Sequence, residues 1–410
     1  MGRSTGAGGL GPGKAGPAQR RPGEPSPGQT GPGEPNRGEP SLRQASPGGA
    51  SADGREGGRS KSRRTQRWRR ALLAGVITGA VVLPLSGAAR AEIPAPPPAA
   101  LPPVTAATLE QTYEANRANA AEASRMAAEY GDRERAAADR EMADPSRRFL
   151  SFDGRGFGLA TEVFGDLAHA DRIAVLVPGS DTSIDTYDRF RDTARALHQR
   201  LTREAPQGTR TAVVAWLGYQ TPGTVSTTVT TTARAEKAAP ELRDFIRQLR
   251  ALRADEGPGA TGGGTGTAGK GAGPADEGSR TPEPRPRISL LCHSYGSVVC
   301  GRAAPGLDVD DIALIGSPGT GVDTAGALHT RARIWAARGG DDWVAEVPHI
   351  RIDVLGTTVG FGTDPMSPSF GARVFAAGEG GHSDYFRPGS PSLANLTRIV
   401  LGETSEVTHA

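Results

Sequence analysis

Acyl transfer by side chains needs a nucleophile, a base that removes its proton and an acid that orients the base. Ser294 offers the nucleophile: the pentapeptide Cys292-His293-Ser294-Tyr295-Gly296 follows the apolar run RISLL and precedes the small-residue segment SVVCG. A strand that feeds a sharp turn and then a helix holds a serine oxygen clear of a sheet, the context such a nucleophile requires. Cys292 stands where this turn commonly has its first glycine, a departure softened by the small size of cysteine. His382, in the glycine-rich segment GEGGHSDYF, is the candidate base, because it follows the strand-like ARVFAA and completes the chain order serine, acid, histidine. The acid should close the strand between them, and RIWAARGGDDWV supplies Asp341 and Asp342 there. Asp342 is favoured because Trp343 and Val344 let the chain turn back beneath the sheet, with Asp341 left as the alternative. Asp384 lies too close to His382 in sequence to orient its ring and is assigned to organising the loop. His293 adjoins Ser294 but is expected to point away from it along the strand.

The oxyanion formed on attack needs preorganised donors. The backbone N–H of Tyr295, next after the serine, is one. The N–H of Ser180, which follows Pro178-Gly179 at the end of RIAVLVPG, is the other, with Gly179 permitting close approach. This constellation calls for no metal and no organic cofactor.

Loops of this kind must hang from a rigid sheet. RRFLSF and GLATEVFG, parted by DGRG, read as an antiparallel hairpin. RIAVLV, TAVVAWL, RISLLC, DIALI, RIWAA, HIRIDVLG and ARVFAA read as further strands, several of them apolar throughout, as strands buried on both faces are. Helical spacing in SIDTYDRFRDTARALHQRL, PELRDFIRQLRAL, SVVCGRAAPG and SPSLANLTRIVLG alternates with them. The last of these has Ser390 as N-cap, Pro391 at the first helical position and Gly402 beyond the end. The alternation predicts the α/β class, with a mostly parallel central sheet and helices on both faces. Residues 105–143 predict one long polar helix with a thin apolar stripe, Leu109, Tyr113, Ala120, Ala127 and Tyr130. That stripe lies against the domain, against a second copy of the chain, or packs on little.

The 57 glycines and 33 prolines among 410 residues keep part of the chain out of any core. Residues 1–66, with blocks such as GPGEP and almost no large apolar side chain, are expected to form a disordered tail, and 256–286 a disordered insertion. A cationic stretch, an apolar run over 71–89 and the sequence Ala89-Arg90-Ala91 give residues 67–91 the form of an export signal cut after Ala91, or of a membrane anchor. Residues 92–147 read as a proline spacer followed by the polar helix, leaving 148–402 as a single domain large enough for its own core. Fourteen Lys and Arg against five Asp and Glu precede residue 71, and Arg90 adds one; since the whole chain carries +3, the part after Ala91 carries −7. That argues against nucleic acid as a partner of the folded domain and confines attraction for anionic lipid to the tail. Cys292 and Cys300 bracket the turn at Ser294, and a bridge from a strand end to a position two helical turns later would distort it, so buried free thiols are expected.

The segments VLVPGSDTSIDTYDRF, AVVAWLGYQTP, CHSYGSVVCGRA, IALIGSPGTGVD, GTDPMSPSFGARVF and GHSDYFRPGSPSLANL together resemble an uncharacterised bacterial α/β-hydrolase family over residues 148–402. The resemblance implies the α/β-hydrolase fold and, by analogy, a serine-histidine-acid triad; it implies no substrate. Trp216, Tyr219 and Asp364 fall in family blocks outside such a triad and are expected either to line a pocket or to hold loops. The combined expectation is an exported or envelope-associated hydrolase that cleaves an ester of a small or lipid-like acyl substrate through an acyl-enzyme. Two other readings stay open: a peptidase or amidase using the same residues, and a non-catalytic envelope module that binds a partner through the 105–143 helix.

Overall fold

The computed structural model describes residues 93–254, 285–347, 351–354 and 357–410. The expected tail, the export or anchor segment and all but the end of the 256–286 insertion lie outside the described residues. Eight strands form one sheet: β1 (Phe149–Asp153), β2 (Leu159–Gly165), β3 (Arg172–Val177), β4 (Thr211–Leu217), β5 (Arg287–His293), β6 (Asp311–Ile315), β7 (Arg333–Ala337) and β10 (Arg373–Val374). Their order is β1-β2-β4-β3-β5-β6-β7-β10. β1 and β2 pair antiparallel, as the hairpin pattern predicts, and β2 pairs antiparallel with β4; every other pairing is parallel.

Two strands differ from expectation. HIRIDVLG does form a strand, β8 (Arg351–Val354), but it pairs antiparallel with β9 (Thr357–Gly360) in a hairpin of its own and never joins the main sheet. ARVFAA contributes only the two residues of β10, which continue the sheet beyond β7.

The parallel strands are apolar because both of their faces are covered. Ile173, Val175 and Val177 of β3 face a core shared with α4 (Ala233–Ala254) and α5 (Gly296–Ala303). Ala174 and Leu176 of the same strand face a second core shared with α3 (Tyr187–Glu204) and α6 (Pro391–Leu401). Helix α6 is capped as its sequence predicts: Ser390 Oγ accepts from Leu393 N, Pro391 opens the helix and Gly402 closes it with φ 87°. From β3 the chain goes first to β4 on one side and then to β5 on the other. A crevice opens where neighbouring crossovers depart in opposite directions, outside the carboxyl ends of the strands. The segments after Val177 and His293 meet there.

Residues 105–143 form two helices rather than one, α1 (Leu109–Tyr130) and α2 (Arg133–Met142). Gly131 ends the first with φ 95°, and the Asp132 side chain caps the second by accepting from Arg135 N at 3.0 Å. Leu109, Tyr113, Ala120 and Ala127 of the expected stripe are buried, whereas Tyr130 is exposed. The stripe turns inward: Ala120, Ala123 and Met142 share a third core with Phe149, Phe152, Ala160 and Tyr187, and Asn116 Nδ2 donates to Phe149 O at 2.9 Å. The described residues form one compact unit. Among the described residues, no helix is long and apolar enough to cross a membrane.

One carboxylate in this N-terminal layer is badly solvated. Asp139 is buried and neither of its oxygens has a hydrogen-bond partner among the described residues. Burial pushes its carboxyl up to about 7, against the opposing pull of Arg135, whose guanidinium is committed to Asp185, Gly154 O and Gly156 O. The folded state therefore binds a proton that the unfolded chain releases near pH 4, and Asp139 makes stability fall as pH rises from about 4 to about 7. Asp139→Asn should remove that slope. Its stability relative to the native chain should improve by roughly 3 kcal/mol between pH 4.5 and pH 8 in urea unfolding; an unchanged difference across that range would contradict the assignment.

Candidate active site

The site begins with a strained residue. Ser294 follows β5 directly and holds φ 55°, a left-handed conformation that residues other than glycine, asparagine and aspartate rarely adopt. It persists because its surroundings fix it: Ser294 N donates to Ile315 O at 3.0 Å, and Ser297 Oγ donates to Cys292 O at 3.0 Å. Gly179 presses against it from the β3 loop. A Cβ there would lie 2.6 Å from Ser294 Cβ, so only glycine lets the two loops meet.

The cysteines depart from the sequence expectation. Cys292 and Cys300 are joined in a disulfide, and none of the described cysteines is free. Counting helical turns overstates their separation, because the tight elbow folds α5 back beside β5 and leaves the two Cα atoms 6.4 Å apart, within the ordinary range for a bridge. The nine-residue loop it closes contains Ser294. Closing such a loop restricts the unfolded chain by about 2.5 kcal/mol. Reductant should therefore lower the native chain's unfolding midpoint to that of the Cys292→Ala/Cys300→Ala double variant, which should itself ignore reductant.

Across from the elbow, the Gly339-Gly340 segment after β7 delivers Asp342, whose carboxylate caps a short 3-10 turn by accepting from Val344 N at 2.9 Å. The glycine-rich loop after β10 delivers His382. His382 Nε2 lies 2.9 Å from Ser294 Oγ, and His382 Nδ1 lies 2.9 and 3.1 Å from the two oxygens of Asp342. The neighbouring Asp341 makes no such contact and is exposed. Asp384 accepts from Gly381 N at 2.8 Å and so folds the histidine's own loop. Gly316, with φ 55°, passes directly beneath: a Cβ on it would sit 2.9 Å from Asp342 Oδ2 and 3.1 Å from His382 Nδ1.

Two residues that the sequence reading leaves aside support this pair. Tyr385 OH donates to Asp342 Oδ2 and accepts from Gly339 N at 3.1 Å. Burial, reinforced by the Asp342 carboxylate, pushes the Tyr385 phenol far above its ordinary range, so it remains a donor. Burial alone would raise the Asp342 carboxyl, but the bonds from His382, Tyr385 and Val344 N outweigh it and hold the group below its usual value. His293 does not point away as expected. Its Nε2 donates to His382 O at 2.8 Å, its ring centre is 4.7 Å from that of His382, and it lines the same cavity as Ser294. Burial, and then the nearby His382, push His293 down to about 4, which keeps it neutral, and the bond to His382 O places its one proton on Nε2. The loop position of Tyr385, three residues beyond His382, was the one signal that could have nominated it.

The N–H groups of Tyr295 and Ser180 belong to residues lining this cavity, and neither has an acceptor among the described residues. Trp216 and Tyr219 stack on each other, and Tyr219 OH donates to Pro178 O at 2.7 Å, which steadies the loop leading to Ser180. Asp364 pairs with Arg338 at 2.9 Å and accepts from Met366 N, so it too holds a loop. The cavity over Ser294 has a volume of about 690 Å³ and walls dominated by apolar side chains, among them Leu176, Phe190, Trp343 and Phe361. Among the described residues, no group of three or more His, Cys, Asp or Glu side chains is placed to hold a metal ion.

The family match agrees with this architecture. The model of a family described as alpha/beta hydrolase matches residues 153–261 and 275–352. The uncharacterised protein Rv2079 of Mycobacterium tuberculosis H37Rv is 25% identical over 281 residues, which is 62% of this chain and 38% of that relative. This chain therefore spans well under half the length of the curated relatives it matches. Solved structures with which it aligns include esterase PE8 (19% identity, 60% of this chain and 99% of that one, TM-score 0.36). Another is a serine hydrolase without a lid from Xanthomonas campestris (14% identity, 64% and 95%, TM-score 0.32).

Proposed function

Because this chain has the α/β-hydrolase fold and matches that family's model across the centre of its sheet, we propose that it is an exported serine hydrolase of carboxylic esters. The observation that carries the proposal is the unbroken hydrogen-bond chain from Ser294 through His382 to Asp342, built on a serine with φ 55°. Ser294 Oγ attacks the acyl carbonyl while His382 Nε2 takes its proton, and Asp342 stabilises the imidazolium that results. The N–H groups of Tyr295 and Ser180 receive the negative charge on the carbonyl oxygen. His382 then returns the proton to the departing alcohol, leaving an acyl-serine. A water, deprotonated by His382, releases the acid and restores Ser294.

Export is supported by the apolar run over 71–89 and by the Cys292–Cys300 disulfide, since such bonds persist in oxidising compartments. A partner-binding module built on the N-terminal helix finds less support, because Leu109, Tyr113 and Ala120 of α1 are spent on the chain's own cores. The test is a fluorophosphonate probe followed by a panel of matched p-nitrophenyl esters, thioesters and anilides. Labelling at a single serine with preferential ester turnover is the expected result. Turnover of anilides at the rate of esters would favour the amidase reading, and absence of labelling in a folded protein would remove the hydrolase reading.

A further inference from the structure

Resting on that ester-hydrolase reading, we propose that the substrate carries a carboxylate or similar compact anion apart from its scissile ester, and that Arg189 receives it. Thr186, Arg189, Phe190 and Thr193 recur at the spacing of one helix face, and all four line the cavity over Ser294. Apart from histidine, Arg189 is the one cationic side chain among those lining residues. Of the five arginines in α3, Arg191, Arg195 and Arg200 are paired with Glu162, Asp192 and Glu204. Arg203 lies at the far end of the helix, away from the cavity. Arg189 has no ion pair among the described residues.

The acids around it are engaged elsewhere. Asp185 is held by Arg135 at 2.7 Å, and Asp192 by Arg195. Asp181, the one carboxylate lining the cavity, accepts from Thr224 N and from the Thr224 hydroxyl. Asp188 precedes Arg189 directly and so projects about 100° around the helix, off the cavity face. A cation in the first turn also sits against the positive end of the helix dipole, and Thr186 provides no side-chain cap. An exposed guanidinium without an ion pair, on the wall of a cavity whose one carboxylate is already engaged, is complementary to an anion. The anion belongs to either the acyl or the alcohol end of the ester, and the test has an arm for each.

The experiment compares kcat/KM for two pairs of esters that differ only in charge. Mono-p-nitrophenyl adipate against p-nitrophenyl hexanoate places the carboxylate on the acyl side; 4-acetoxybenzoate against phenyl acetate places it on the leaving group. In one of these pairs the native chain should favour the anionic ester. Arg189→Gln should lower that preference about tenfold, chiefly through KM, and Arg189→Glu should lower it further, while Arg189→Lys should keep most of it. Added salt should erode the native preference. A charge preference unaltered by Arg189→Gln in both pairs overturns the proposal. If no ester is turned over, the hydrolase reading fails separately, and calorimetry decides the anion site. In that case Ser294→Ala should bind monomethyl adipate better than methyl hexanoate and lose the difference when Arg189→Gln is added. Equal binding of the two esters would overturn it.

Discussion

Replacing Ser294 with alanine should lower ester turnover about a millionfold and abolish fluorophosphonate labelling, because the nucleophile and the base that serves it act as one unit. Retention of label on Ser294→Ala would show that another group reacts. Glycine at the same position should be equally inactive, yet more stable than the native chain. Ser294 holds φ 55°, a conformation that costs an L residue about 1–2 kcal/mol and glycine almost nothing. Urea unfolding should therefore place Ser294→Gly above the native protein and Ser294→Ala no higher than it. That pairing of lost activity with gained stability separates a strained functional residue from a serine that merely fills space.

Asp342→Asn should lower kcat about 10⁴-fold with little change in KM. Asparagine keeps the shape but can turn an amide N–H toward His382 Nδ1, which stabilises the tautomer whose Nε2 bears a proton and so cannot act as a base. It also removes the charge that the developing imidazolium requires. Asp341→Asn, at an exposed position without contact to His382, should change kcat less than twofold, within the scatter of surface substitutions. Comparable losses in both variants would contradict the geometry, in which only Asp342 reaches the ring. With its amide nitrogen in the Oδ2 position, the asparagine of Asp342→Asn still accepts from Val344 N but no longer from Tyr385 OH, so circular dichroism and the unfolding midpoint should be measured to separate lost catalysis from lost folding.

The parallel strands were legible in the sequence because burial on both faces leaves a strand apolar throughout, and the elbow because a strand, a small-residue turn and a helix follow one another within a few residues. The ends of α6 were legible for the same local reason, through Ser390, Pro391 and Gly402. What escaped depended on how the chain folds back. Alternation along β5 assigns His293 to the side away from Ser294, but that rule stops at a residue with positive φ, and the elbow turns both residues toward one cavity. The disulfide escaped similarly, since distance along a helix says little about two positions on either side of a sharp bend. The split of the N-terminal helix was written in Gly131-Asp132, a stop followed by a cap, though a polar stretch with a weak stripe reads as continuous when only its periodicity is weighed. Pairing of β8 with β9 had no local signal, because a short apolar segment carries no label for the sheet it joins.

The inward-facing stripe of α1 bears on how this α/β-hydrolase-fold domain can be moved between proteins. Phe149 and Phe152 of the first strand are sealed by Ala120, Ala123 and Met142, and the Arg135 guanidinium clasps the carbonyls of the turn that follows that strand. A fragment starting at the first strand would expose two phenylalanines on a sheet edge and invite self-association. The portable module therefore starts upstream of Leu109. Recombination that joined this sheet to a new upstream segment could succeed only by carrying both helices with it, so their polar appearance conceals a part of the fold's foundation.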